Sequence, residues 1–343
     1  MDLIVPIDRG LYCPAGDFYI DPWRPVPRAL ITHAHGDHAR FGSDLYVCHE
    51  ASAPILRKRF GDVRIETAAY GETLNRNGVE ISFHPAGHIL GSAQIRLAYR
   101  GEVWVASGDY KLERDGVSPP FELLRAHAFI TESTFGLPIY RWRPQAEIFA
   151  SINAWWRDNA AAGRASLLFA YALGKAQRVL ANIDSGLGPI VCHGAVAAMN
   201  AIHREAGVAL PPTRRADEIP KADLRRALVL APPSASASPW AKRFGDYSDA
   251  LASGWMQVRG NRRRRGLDRG FALSDHADWP GLLSAIEATG APRVFATHGA
   301  AAPLARFLRE EKGLDARVYA TAYGEEEETI EAAEPAAQAE AAQ

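Results

Sequence analysis

The segment His33-Ala34-His35-Gly36-Asp37-His38 constrains the chain more than any other stretch. It places three imidazoles and one carboxylate within six residues, directly after the apolar residues Leu30-Ile31. His33 and His35, two residues apart, can face one way from an extended backbone, while Asp37 and His38 can face another as the loop turns, so one loop can serve two neighbouring metals. Imidazole and carboxylate together suit Zn²⁺, Mn²⁺ or Fe²⁺ better than Ca²⁺. The sequence therefore predicts a metal centre at the end of a strand.

Two further candidate ligands, His88 and Asp109, also follow predicted strands, at residues 79–84 and 103–107. Taken alone, each is better explained as a turn residue. As a set they fit the rim of a sheet, where loops that follow strands converge. A carboxylate such as Asp109 can bridge two metals, because each of its oxygens offers a lone pair. The runs 93–99 and 103–107, separated by Arg100-Gly101-Glu102, predict a hairpin.

The pattern changes after about residue 140, where strands begin to alternate with helices. The predicted order is helix 144–161, strand 166–171, helix 174–183, strand 189–192, helix 195–205 and strand 227–231. This alternation is typical of βαβ units around a small parallel sheet. The chain then continues through strand 271–273, helix 279–289, strand 293–297, helix 303–312 and strand 317–320.

Charge is distributed unevenly along the chain. Residues 325–343 contain seven Glu and no Lys or Arg, so residues 1–324 carry a net charge of +6 although the whole chain carries -1. The tail has few apolar residues to bury and is predicted to be disordered. A basic body is compatible with a nucleic-acid partner.

Membrane insertion and disulfide bonding are not expected. No apolar run approaches the ~20 residues that a membrane span needs. The segment Met1 to Pro6 lacks the basic stretch and apolar region of a secretory signal, which predicts a cytoplasmic location. Cys13, Cys48 and Cys192 are odd in number and widely separated, so we expect them to act as small apolar residues.

The ligand candidates, taken in order, resemble the signature of the metallo-β-lactamase superfamily: His-x-His-x-Asp-His, then a later His, then a bridging Asp. Three later segments resemble motifs A, B and C of its β-CASP group. They are Glu132-Ser133-Thr134-Phe135-Gly136, Ser274-Asp275-His276-Ala277-Asp278 and Thr297-His298-Gly299. About 130 residues separate motifs A and B, as expected for that group's inserted domain.

The resemblance implies an α/β fold: a metallo-β-lactamase αββα sandwich with an inserted β-CASP-type α/β domain. The sandwich would comprise residues 1–140 and 270–324, and the insertion residues 141–269. Residues 325–343 would form the acidic disordered tail.

The resemblance also implies two divalent metal ions, with Zn²⁺ favoured and Mn²⁺ as the alternative. The first would be held by His33, His35, His88 and Asp109, and the second by Asp37, His38, Asp109 and His298. The predicted reaction is attack on a phosphodiester by hydroxide generated between the metals and oriented by Asp37 and Asp109. Glu132 would pair with His276, which would serve as general acid.

Within the β-CASP group, the chain looks most similar to the bacterial ligase-associated DNA exonucleases, through Tyr171 to Gln177, the arginine run and Leu273 to Trp279. That similarity implies a DNA exonuclease in DNA end processing and repair, acting on a DNA strand or end. It also implies functional association with an ATP-dependent DNA ligase and a helicase. A 5′ to 3′ polarity is favoured.

Candidate substrate contacts lie outside the metal ligands. Arg262, Arg263, Arg264 and Arg265 precede motif B, and arginine binds phosphate through bidentate contacts. Ser274 opens motif B, and Lys175 begins a predicted helix whose amides can hold an anion. A solvated charged loop and a plain helix start are the alternatives.

Three other functions compete with a DNA exonuclease. An RNA-processing β-CASP nuclease is the main alternative. Ala300 departs from the Glu that usually follows motif C in RNA-cleaving relatives, but His298 is kept, whereas DNA-specific eukaryotic relatives replace it. A small-molecule hydrolase would need neither the insertion nor motifs A and B. A binding protein with an inactive metal site is disfavoured, because every ligand position holds a competent residue.

Overall fold

The computed structural model describes residues 2–236, 238–258, 260 and 266–321. The predicted arginine contacts Arg262 to Arg265 and the predicted tail 325–343 lie outside the described residues. The described chain forms two compact units. The first comprises residues 2–114, 118–141 and 276–321, and the second comprises the described residues of 115–117 and 142–275.

The first unit contains a six-stranded sheet with its strands in chain order, β1 to β6. They are Val5–Ile7, Gly10–Cys13, Phe18–Ile20, Ala29–Ile31, Tyr46–His49 and Ile65–Ala68. Strands β1 to β3 are antiparallel, and β3 to β6 are parallel. Helix α1, Ala53–Phe60, connects β5 to β6.

The second sheet of this unit has seven strands, in the order β18-β17-β11-β10-β9-β8-β7. They are β7 Thr73–Arg76, β8 Val79–Pro85, β9 Ala93–Tyr99, β10 Glu102–Ala106, β11 Ala128–Glu132, β17 Arg293–Thr297 and β18 Asp315–Val318. The predicted hairpin is confirmed, because β9 and β10 pair antiparallel. Arg100 and Gly101 in its turn have φ values of 49° and 83°, which suit a two-residue hairpin loop.

Apolar side chains from both sheets share one core. Leu30 and Val47 of the first sheet join Ile81, Ile95 and Trp104 of the second. Helices α7, Trp279–Thr289, and α8, Ala301–Lys312, pack their apolar residues with other side chains of the second sheet in a separate cluster. Asp278 caps α7 at its start by accepting from the amide of Gly281 at 3.0 Å.

The second unit contains a parallel five-stranded sheet in the order β13-β14-β12-β15-β16. Its strands are β12 Ala165–Phe169, β13 Ile190–Cys192, β14 Leu228–Ala231, β15 Tyr247–Ala252 and β16 Arg269–Phe271. Its helices are α2 Gln145–Ala161, α3 Lys175–Asn182, α4 Gly194–Glu205, α5 Lys221–Leu224 and α6 Pro239–Lys242. The predicted small parallel sheet is confirmed, although β15 was not among the predicted strands.

Both units therefore mix helices and sheets, and the chain has an α/β fold with three sheets. The three cysteines are buried and unbonded, as expected. No helix in the described part of the chain combines the length and apolarity that a membrane crossing requires.

Candidate metal centre

The predicted ligands of the first unit all follow the ends of strands. His33 lies two residues after β4, Asp109 three residues after β10, and His298 immediately after β17. The loop that holds Asp109 passes close to the loop that holds His33. A Cβ on Gly108 would lie 2.6 Å from Cβ of Thr32, so only glycine permits this approach.

One group of donors consists of His33, His35, His88 and Asp109, whose ligand atoms all lie within 4.8 Å of one another. Nδ1 of His35 is 3.2 Å from Nε2 of His33 and 3.0 Å from Nε2 of His88. Nε2 of His33 is 3.4 Å from Oδ2 of Asp109. The structure thus brings together the four residues predicted for the first metal.

A second group consists of Asp37, His38 and His298. Nε2 of His38 is 3.5 Å from Oδ2 of Asp37 and 3.3 Å from Oδ2 of Asp109. The rings of His38 and His298 stack, with centroids 4.8 Å apart. Asp109 therefore lies beside both groups, in the position of a shared carboxylate.

The backbone at His298 is held in an unusual conformation. His298 has a φ of 56°, which non-glycine residues rarely adopt. The Ser133 hydroxyl donates to the backbone carbonyls of Thr297 and His298, and Nδ1 of His298 lies 2.9 Å from Oγ1 of Thr297. Such conformations persist where surrounding contacts determine them, and they cluster at functional sites.

The donor set fits a divalent cation. Nε2 of His38 and Oδ1 of Asp109 are buried and make no hydrogen bond with the described residues. Leaving a buried polar group unsatisfied costs about 1–3 kcal/mol, so native proteins usually supply a partner. Imidazoles and carboxylates that converge on the same small volume are the ligands of Zn²⁺ and related ions.

The pKa values of these groups follow from burial and mutual charge. Burial lowers the pKa of His33 well below its usual value, and the neighbouring His38 lowers it further. His33 is therefore neutral at neutral pH, the form that binds a metal. Burial also opposes protonation of His38, yet Asp109, Asp37 and Asp21 outweigh it and raise the pKa of His38 well above its usual value. The carboxylates that favour a proton on His38 equally favour a cation.

Asp21 contacts a predicted metal ligand and was not among the predicted site residues. Its Oδ2 lies 2.7 Å from Nδ1 of His38, and its carboxylate accepts from the amide and hydroxyl of Thr32 at 2.8 and 2.5 Å. The contact with His38 orients Nε2 of that ring toward Asp109, as carboxylates behind metal-binding histidines do. The available signal was an aspartate directly after the buried strand β3.

Glu132 and His276 form the predicted pair. Nδ1 of His276 lies 2.9 Å from Oε2 of Glu132, and Oε1 of Glu132 accepts from the amide of Tyr110 at 2.7 Å. Burial raises the pKa of Glu132 despite the opposing charge of His276. Nδ1 of His276 is also 3.9 Å from Oδ2 of Asp109, so the pair lies beside the donor groups.

The remaining candidates for substrate contact lie in the second unit. Nζ of Lys175 is 3.1 Å from Oδ1 of Asp275, and both side chains are 2% exposed. The same ammonium lies 4.3 Å from the ring centroid of Tyr171. Ser274 is buried, and its carbonyl accepts from Arg178 at 2.9 Å. The roles of Lys175 and Ser274 in substrate binding stay predictions.

Comparison with known proteins gives matches of two kinds. No protein-family model matches the chain. The chain is 33% identical over 316 residues to a probable DNA ligase from Opitutus terrae, which covers 91% of this chain and 30% of the ligase. It is 32% identical over 123 residues to the endoribonuclease YSH1 of Eremothecium gossypii and 31% identical over 123 residues to that of Saccharomyces cerevisiae. Each of these two matches covers 35% of this chain and 16% of the relative.

These similarities and the donor groups support the metallo-β-lactamase superfamily. The chain spans less than a third of the length of the curated relatives that it matches. A crystal structure of a protein of unknown function from Enterococcus faecalis V583 has a similar fold, with a TM-score of 0.57 at 13% identity. That similarity covers 84% of this chain and 78% of the other.

Proposed function

We propose that this chain is a metal-dependent phosphodiesterase that acts as a DNA exonuclease in DNA end processing and repair. One observation carries the proposal: Asp109 belongs to one group of metal donors, lies 3.3 Å from His38 of the other, and lies beside the Glu132–His276 pair. The proposed fold is a metallo-β-lactamase sandwich in the first unit with a β-CASP-type domain as the second. The proposed location is the cytoplasm.

In this proposal the donor groups hold two divalent cations, Zn²⁺ in preference to Mn²⁺. The first would be held by His33, His35, His88 and Asp109, and the second by Asp37, His38, Asp109 and His298. When bound, such ions activate water and neutralise charge on the phosphoryl oxygens. The carboxylates of Asp37 and Asp109 would orient the attacking water, because Oδ2 of each lies within 3.5 Å of Nε2 of His38.

His276 supplies the proton that the leaving sugar oxygen needs. Because Nδ1 of His276 lies 2.9 Å from the Glu132 carboxylate, the pair fixes the tautomer with the proton on Nδ1. Protonated His276 would then carry its transferable proton on Nε2, and Glu132 would stabilise the imidazolium. The imidazole is 14% exposed, so it is largely shielded from solvent but still accessible.

DNA is proposed as the substrate because the similarity to the probable DNA ligase extends over 91% of this chain. We also propose that the chain works with an ATP-dependent DNA ligase and a helicase. The alternative, an RNA-processing nuclease, is favoured by the similarity to the endoribonucleases, which extends over 35% of the chain. Contacts to the 2′-hydroxyl are the usual basis for choosing between the two polymers.

The test incubates the purified chain with DNA strands labelled at the 5′ or the 3′ end, in Zn²⁺ or Mn²⁺, beside matched RNA strands. The proposal predicts progressive shortening of DNA from one end, and the favoured polarity is 5′ to 3′. An Asp37→Ala variant is the control and should leave the strands intact. Internal cuts would refute the proposed exonuclease activity. Faster cleavage of RNA than of DNA would indicate that RNA is the substrate.

A further inference from the structure

The loop that carries the metal ligands continues into an exposed aromatic side chain. Phe41 lies three residues after His38 and is 67% exposed, more than any other large apolar side chain in the described residues. Three residues of extended chain span at most about 11 Å, so the backbone of Phe41 stays close to His38. That length corresponds to about three nucleotide spacings along one strand of DNA.

The exposed ring is held in place from beneath. The Tyr46 hydroxyl donates to the carbonyl of Arg40 at 2.7 Å and accepts from the amide of Ser43 at 3.1 Å. These two hydrogen bonds hold the backbone on both sides of Phe41. Phe60 packs against both aromatic rings, with centroids 5.9 Å from Phe41 and 5.4 Å from Tyr46. Phe41 and Phe60 together form what we call the aromatic platform.

Arg59 connects the platform to the metal-binding loop. Its Nη1 donates to the carbonyl of Ala34 at 2.7 Å, and its Nη2 donates to the carbonyl of Ala39 at 3.3 Å. Its guanidinium lies 4.8 Å from the ring centroid of Phe60. One side chain thus contacts both the loop that carries the histidines and the platform, which fixes the platform relative to the ligands.

The charge around the platform is positive. Residues 40–64 contain five Lys or Arg against three Asp or Glu. Arg57 and Lys58 are exposed on α1, in the last turn before Phe60. An aromatic ring beside basic side chains is the combination with which proteins bind single-stranded nucleic acid, through base stacking and phosphate contact.

We propose that the aromatic platform stacks a nucleobase of the strand that is being cleaved, while Arg57 and Lys58 contact its phosphates. This inference rests on the proposed function, because it takes the substrate to be a nucleic-acid strand. Stacking tolerates any base, so the platform would hold the strand without selecting its sequence. A protein partner that covers Phe41 is the competing occupant.

The test compares Phe41→Ala, Phe41→Trp and the unchanged chain, with Leu123→Ala as control because Leu123 is another exposed apolar residue of the same unit. Binding is measured with a fluorescent, phosphorothioate-linked single DNA strand that resists cleavage. Phe41→Ala should weaken binding roughly tenfold, the size of effect that loss of one base stack produces. Phe41→Trp should retain binding, and Leu123→Ala should change nothing.

Turnover separates this inference from the proposed function. Hydrolysis of bis(p-nitrophenyl) phosphate, which is too short to reach the platform, should be equal in all variants. If the chain cleaves DNA but Phe41→Ala binds the strand as tightly as the unchanged chain, the platform is refuted and the proposed function stands; a protein partner then becomes the better occupant. If the strand binds through Phe41 but is never cleaved, the platform stands and the proposed function fails.

Discussion

The two units each bury a cluster of polar side chains. The clusters differ in whether neighbouring side chains have opposite or like charge and hydrogen-bonding character. In the second unit, Lys175 meets Asp275, and the Gln177 amide donates to the carbonyl of Ala172 and to Oδ1 of Asn200 at 3.0 and 2.8 Å. In these contacts positive meets negative and donor meets acceptor.

In the first unit, similar groups face one another. Ring nitrogens of His33, His35 and His88 converge within about the length of a hydrogen bond, and Asp37 and Asp109 both lie beside His38. A cation that all its members can bind would complete such a cluster. The comparison teaches that like groups at contact distance indicate a cation, whereas a buried pair of opposite charges such as Lys175 and Asp275 does not.

The largest expected effect is that of Asp109→Asn. The change keeps the shape of the side chain but removes the charge that both donor groups share, so phosphodiester hydrolysis should be lost almost completely. Turnover of labelled DNA measures this. Activity near that of the unchanged chain would refute a shared carboxylate.

His276→Ala should lower turnover by roughly 10²- to 10⁴-fold, the range typical of removing a general acid. Bound metal should not change, because His276 is proposed as proton donor and not as ligand. His127→Ala, at an exposed histidine of the same unit, is the matched control. If His276→Ala loses metal, the division between ligands and general acid is wrong.

Asp21→Asn should weaken metal affinity about 10- to 100-fold, as loss of a carboxylate behind a metal-binding histidine does. The effect should fall on the ion held by His38, because Asp21 contacts that ring. Titration with Zn²⁺ against a chelator measures it, with Asp8→Asn at the surface as control. Equal affinities would mean that Asp21 does not position His38.

Lys175→Met examines the buried ion pair of the second unit. Removing one partner of a buried ion pair typically costs about 3–5 kcal/mol, so the free energy of unfolding in urea should fall by that order. Adding Asp275→Asn should recover part of the loss, and metal content should stay unchanged in both variants. If Lys175→Met is fully stable and instead raises KM for DNA, Lys175 is a substrate contact after all.

Proton release on metal binding should distinguish the two histidine environments. Because the pKa of His38 is raised, His38 is an imidazolium cation at neutral pH in the metal-free chain, whereas His33, with a lowered pKa, is a neutral imidazole. A metal must displace the His38 proton, so affinity should rise by about tenfold per pH unit until the pH passes the pKa of His38. Calorimetry in buffers of different ionisation enthalpy measures the release; affinity independent of pH would contradict it.

Features encoded by neighbouring residues were predictable from the sequence. The β9–β10 hairpin depends on adjacent strands and the Arg100-Gly101 turn, and the cluster from His33 to His38 is continuous in the chain. Strand β15 was missed because Asp249 interrupts a short apolar run, and the strand is recognisable only beside β12 and β16.

Contacts between distant residues set the limit of prediction at the site. Asp21 reaches His38 only because β3 and β4 pair in parallel with a particular register. Lys175 and Asp275 are 100 residues apart, so the sequence showed a lysine at a helix start and not the carboxylate that it meets. The metal donors were predictable from residue type and spacing. The residue that positions one of them, Asp21 behind His38, could be identified only from the fold.

The most direct test of the account is the metal content of the purified chain after dialysis against Zn²⁺ and removal of loosely bound metal. We expect two ions per chain, with fewer in Asp109→Asn and two in Lys175→Met. A chain that retains no metal, or an Asp109→Asn variant that retains both ions, would contradict the claim that the mismatched cluster of the first unit is a two-metal centre.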